Sequence, residues 1–168
     1  MTILLYAQPY NIDAEGFFFR NEHEYHLQSQ NLRDRFGNRV EEFEIQFIDG
    51  ERIDCELARA IGINQANFAN FLDCAAAWED WEKIRMVIAL GEVGHDFEPD
   101  ISPDGYDLDV YHVSTMRELA EQFVDEGLFG DIPERLQFYI DYDAIARDLS
   151  VDYSETEIAG ERLIYRAG

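Results

Sequence analysis

The sequence predicts an α+β fold laid out as three small successive segments: an α+β unit at 1–62, a helical one at 63–104 and a second α+β unit at 105–168. Three observations lead there. Apolar and polar residues alternate in "EEFEIQFID" (41–49) and "YDLDVYHV" (106–113), the two-residue period of half-buried strands. Between them, from Asn64 to Ile88, large apolar residues recur instead at three- and four-residue steps, the period of helices. The acidic stretch "HDFEPDISPDG" (95–105), with its two prolines, has the composition of a linker.

Each element has its own warrant. "ILLYAQ" (3–8) and "GFFFR" (16–20) are short apolar runs separated by turn residues, so two strands are expected. "EHEYHLQSQNLRDRF" (22–36) carries Tyr25, Leu27, Leu32 and Phe36 at loose helical spacing and stops at Gly37–Asn38. In 41–49, Phe43, Ile45 and Phe47 face one way and Glu42, Glu44 and Gln46 the other. "CELARAIG" (55–62) is a short helix closed by Gly62. Phe68, Phe71, Leu72, Ala75 and Trp78, then Trp81, Ile84, Arg85 and Ile88, predict two helices broken near 79–81. In 106–113, Tyr106, Leu108 and Val110 share one face. "STMRELAEQFVDEG" (114–127) is the clearest helix, with a Thr115–Glu118 capping box, a stripe of Met116, Leu119, Ala120, Phe123 and Val124, and Gly127 to end it. Residues 151–166 read as a hairpin around Ala159–Gly160.

Charge excludes several function classes. Thirty-six acids against thirteen bases give −23, and Lys83 is the only lysine. The arginines are scattered, so no basic patch exists to hold a nucleic acid or an acidic membrane. Such an excess exceeds what solubility needs, because self-repulsion destabilises a compact chain. A compact monomer of this mass would expose roughly 8,500 Å², or about 370 Å² per net charge, against about 107 Å² per phosphate on a B-DNA cylinder. Only clustered acids or an elongated shape bring it near the density of DNA. The start, "MTILLYAQPYNIDAEG", lacks the basic region of a signal peptide, and no apolar run approaches the roughly 18 residues of a membrane span. Cys55 and Cys74 lack CxxC spacing and fit free thiols in a reducing cytoplasm.

Nothing in the chain asks for catalysis. His23 and His26 stand three apart without a third ligand nearby. Asp104, Asp107 and Asp109 beside Gly105 do not follow the order of a calcium loop. GxSxG, HExxH and GxxxxGK[ST] are all absent. The expectation is a non-enzyme without cofactor or metal.

The densest motif lies at 130–149, G-D-I-P-E-R-L-Q-F-Y-I-D-Y-D-A-I-A-R-D-L. It resembles the ArdA antirestriction family, whose members share G-D/E-I/V-P-x-x-L-x-x-Y-I-D-Y-x-A-x-x-R-D-L near the C-terminus. "RELAEQFVDEGLFG" and the last hairpin fit the same family, and "YNIDAEGFFF" and "VEEFEIQFID" resemble its N-terminal strands more loosely. The resemblance implies an elongated three-domain DNA mimic that dimerises through its C-terminal domain. Such a mimic occupies the DNA-binding groove of type I restriction-modification enzymes, made by specificity and modification subunits, so that invading DNA carrying the gene escapes cleavage.

On that reading the phosphate-mimicking acids are Asp107, Asp109, Glu118, Glu121, Asp125, Glu126, Asp131, Glu134, Asp141 and Asp143. Asp107 and Asp109 would stand about 6.7 Å apart on one strand face. Glu118, Glu121 and Asp125 would rise in steps of about 4.5 and 6 Å along a helix. Both intervals suit neighbouring phosphates, and any acidic amphipathic helix would show them. Leu128, Phe129, Ile132, Pro133, Leu136, Tyr139, Ile140, Tyr142 and Ile145 form the motif core or a dimer contact, with Leu149 packing the domain and Pro133 starting a short helix. Arg147 beside Asp148 fits an internal ion pair. The alternative is an acidic partner that sequesters another basic DNA-handling protein or a toxin.

Overall fold

A computed structural model describes residues 1–168. The fold is mixed α+β, with two small antiparallel sheets in two compact units, Met1–Gly105 and Tyr106–Gly168. The boundary expected at 62–63 falls inside the first unit.

That unit is built on a three-stranded sheet with β1 (Leu4–Pro9) between β2 (Phe17–Phe19) and β3 (Phe43–Asp49). Tyr6 pairs with Phe18 on one side and Gln46 on the other, which sends Leu5, Ala7, Phe17, Phe19, Phe43 and Ile45 into the core. The period-two pattern therefore buries the predicted face of β3, with Phe47 half-buried. Helix α1 (Glu22–Asn31) contributes Tyr25, and Phe68, at the start of α3 (Phe68–Ala77), inserts beside it with ring centroids 4.6 Å apart. Gln65 clamps the same place: its Oε1 accepts from Phe43 N at 2.8 Å and its Nε2 donates to the Tyr25 hydroxyl at 3.0 Å. Aromatic packing and a half-buried, hydrogen-bonded amide thus join the helical segment to the sheet.

Helix α1 ends five residues before its expected end. Leu32 turns extended, and the Asp34 carboxylate instead collects the backbone N–H groups of Phe36 and Asn38, each at 2.9 Å. A short polar side chain that satisfies its own neighbours competes with helix, and here it wins. Leu27 and Phe36, two of the apolar residues noted at loose helical spacing, are exposed.

Helix α2 (Arg52–Ile61) is capped by Gly62 at φ 68°, the left-handed conformation expected of a closing glycine. It packs on α4 (Asp80–Val87), which follows the predicted break: Trp78 is extended and the Glu82 carboxylate accepts from Glu79 N at 2.9 Å. Here lies an ion pair that the helical periodicity did not indicate. Lys83 Nζ donates to Asp54 Oδ1 at 2.7 Å, with both residues almost wholly buried. The helix then widens into a π-helical turn, Ile88–Val93, closed by Gly94. The stretch 95–105, expected as a linker, belongs to the first unit, with Pro103 buried in a short 3₁₀ turn and its carbonyl accepting from Arg85 Nε at 3.3 Å.

The second unit has β6 (Glu161–Ala167) between β4 (Leu108–Tyr111) and β5 (Ser154–Ile158). Ala159 and Gly160 both take positive φ, 51° and 86°, giving the β5–β6 hairpin a two-residue turn of the hand that matches strand twist. Helix α5 (Met116–Asp125) lays Leu119 and Phe123 against Ile164, and Met116, Tyr111, Tyr153 and Leu149 close round them. Thr115 Oγ1 caps α5 by accepting from Glu118 N at 3.2 Å, while the Glu118 carboxylate reaches back to Ser114 N at 2.9 Å. The capping box is formed, one residue further back on its return arm than expected. After Gly127 (φ 76°) the chain makes a 3₁₀ segment, Glu134–Tyr139, and then α6 (Tyr142–Leu149), which packs on α5.

Candidate interaction surface of the second unit

The ten acids singled out by sequence all lie in the second unit, and their side chains are exposed or half-exposed. Their surroundings divide them. Four have carboxylates without a hydrogen bond or ion pair: Asp107 at the entry to β4, Asp125 at the end of α5, and Asp131 and Glu134 in the motif. The other six are engaged. Asp109 faces Arg166 across the β4–β6 ladder at 3.6 Å. Glu118 completes the α5 cap, and Glu126 accepts from Gln122 Nε2 at 3.0 Å. Asp141 caps α6 by accepting from Ala144 N at 3.0 Å. Glu121 and Asp143 share Arg117, whose Nε lies 3.2 Å from Glu121 Oε1 and whose Nη1 lies 2.8 Å from Asp143 Oδ1. Hydrogen bonding to Asp143 first, then to Glu121, raises the Arg117 pKa above its ordinary value.

Two of the unengaged carboxylates, Asp125 and Asp131, line one cleft of about 230 Å³ with Gly127, Gly130, Gln137 and Tyr142. The end of α5 and the beginning of the motif are thus one acidic surface.

The apolar half of the motif differs from a core. No residue of 128–150 is buried. Leu128, Phe129, Leu136 and Tyr139 are exposed, Tyr139 at 83%; Ile132, Ile140, Tyr142 and Ile145 are half-buried, and Leu149 alone reaches the core cluster. With three residues per turn, the 3₁₀ segment sets Leu136 and Tyr139 on one face, and that face is turned to solvent. Pro133 precedes the first residue of that turn. Phe138, 94% exposed, is the most exposed aromatic of the segment and was not among the residues singled out. Its apolar character alone reads as core, and nothing in the sequence marks it as outward. Arg147 and Asp148 form no ion pair with each other; the Arg147 carbonyl accepts from Ser150 Oγ at 2.6 Å.

No helix is long and apolar enough to cross a membrane. No curated protein matches the chain. A family description, the antirestriction protein ArdA, does match, over residues 20–160, which takes in β3, the helices α1 to α6 and the exposed motif. This chain belongs to the ArdA antirestriction protein family.

Proposed function

We propose that the protein is a DNA mimic: its acidic surface occupies the DNA-binding groove of a type I restriction-modification enzyme, against the specificity and modification subunits, and blocks it stoichiometrically without catalysis. Family membership makes it an antirestriction protein and points to restriction-modification enzymes as the interacting class. One observation carries the finer step. The sole lysine is withdrawn into a buried pair with Asp54, so no ammonium side chain interrupts a surface of net charge −23. In the second unit fifteen acids face five arginines, a higher acid excess per residue than in the first. A groove built to neutralise phosphates by lysine and arginine would meet carboxylates instead. The proposed contact residues are the unengaged Asp107, Asp125, Asp131 and Glu134, with Asp109, Glu118, Glu121, Glu126, Asp141 and Asp143 supporting them. Three domains, an elongated dimer and a cytoplasmic site of action belong to the same proposal.

The test is plating of unmodified phage on cells with a type I system, with and without this gene. Plating should rise toward the level on non-restricting cells. Unchanged plating with abundant folded protein would remove the proposal.

The dimer contact is assigned to the exposed apolar strip Leu128, Phe129, Leu136, Phe138 and Tyr139, because a monomer rarely leaves such a patch bare. Association must overcome repulsion between two chains of −23, so the dimer should tighten as salt screens them. Sedimentation of the wild type and Phe138→Asp at low and high salt checks this. The wild type should dimerise more strongly at high salt and the variant should stay monomeric; a wild type that is monomeric throughout would refute the assignment.

A further inference from the structure

Arg117 is the one arginine of the second unit that holds carboxylates of two different helices. It binds Glu121 one turn along α5 and Asp143 in the first turn of α6, and its guanidinium carbon lies 5.8 Å from the ring centre of Tyr142. Arg166 holds one carboxylate, and Arg135, Arg147 and Arg162 hold none. A surface that acted through its quantity of negative charge would be weakened by an arginine set between two of its acids. A surface that acts through the spacing of its acids needs something to keep the two helices in register despite their mutual repulsion. A planar guanidinium that donates through separate N–H groups to two carboxylates is suited to that task, and a lysine is not.

We propose that Arg117 is a positioning residue: it fixes α6 against α5, and with them the spacing of the α5 acids Glu118 and Asp125 from Asp141 at the start of α6. The inference rests on the mimic reading. It also makes the two ends of the motif unequal, since the α6 end is tied to α5 by this bridge whereas the 3₁₀ segment is not.

The experiment compares variants in a competition titration against duplex DNA for a type I methyltransferase core, with thermal melting of each protein. Arg117→Gln and Arg162→Gln each take the net charge from −23 to −24. Arg162→Gln should inhibit as well as the wild type or better. Arg117→Gln, although equally acidic, should inhibit about fivefold more weakly, the order of one exposed bridging pair. Arg117→Lys, which keeps the charge and loses the fork, should fall between.

Arg117→Gln matching Arg162→Gln would overturn the proposal. If Arg117→Gln melts early, Arg117→Lys decides, because wild-type melting with inhibition as strong as that of the wild type would also overturn it. A wild type that does not compete with DNA would remove the mimic reading itself, whereas a competing wild type with indifferent Arg117 variants removes this inference alone.

Discussion

Lys83→Ala is expected to lose about 3–5 kcal/mol of folding stability, because it leaves the Asp54 carboxylate buried without a counter-charge. Removing both partners together, as Lys83→Met with Asp54→Leu, should cost little or nothing, since apolar residues of similar volume avoid the desolvation of two ions. Denaturant unfolding of the two single variants and the double variant measures the coupling. The pair joins α2 to α4 inside the first unit, so its loss should act there and leave the acidic surface of the second unchanged. A loss below about 1 kcal/mol for Lys83→Ala would mean the ammonium reaches water in solution, contrary to the burial described. Amine acylation gives an independent check: the folded protein should be labelled at its N-terminus and scarcely at Lys83.

Neutralising Asp107, Asp125, Asp131 and Glu134 together should weaken inhibition by about 2–4 kcal/mol, roughly 30- to 900-fold, while each single change is worth about 1 kcal/mol or less. These four carboxylates have no partner within the chain, so Asp→Asn and Glu→Gln remove charge and little else. Melting temperature should hold or rise as self-repulsion falls. Asp141 behaves differently. Asparagine caps a helix as well as aspartate, so Asp141→Asn should be nearly silent, whereas Asp141→Ala should cost about 1 kcal/mol through the lost α6 cap. Restriction assays titrated across the single, double and quadruple variants test the series. One well-folded single variant that abolishes inhibition would point to a catalytic carboxylate instead of a shared surface.

Where the sequence was legible, period and punctuation were both strong. The face Phe43–Ile45 of β3, the stripe Leu119–Phe123 of α5 and the closing glycines Gly62 and Gly127 each agree with local chemistry and with the tertiary structure. Where it was not, a tertiary partner or a side-chain turn decided. Lys83 lies off the apolar stripe of its helix and reads as solvated, and only the approach of Asp54 from α2 makes its burial tolerable. Asp34 captured the backbone that α1 was expected to continue through. In the motif the spacing identified the family, but apolar identity could not say whether Leu136, Phe138 and Tyr139 face inward or outward; they face outward. The acids were legible as a set. Their division into unengaged carboxylates and those spent on caps and ion pairs was not, because it depends on which helix ends and arginines meet them in space.

The most direct measurement of the central claim is displacement of labelled duplex DNA from a type I methyltransferase core, titrated with this protein in the presence of EDTA. Mimicry predicts complete displacement at a fixed stoichiometry, without turnover, with both the DNA and the protein binding more weakly as salt rises. A ternary complex that retains its DNA, inactivation of many enzymes by one molecule, or loss of the effect on chelation would contradict it.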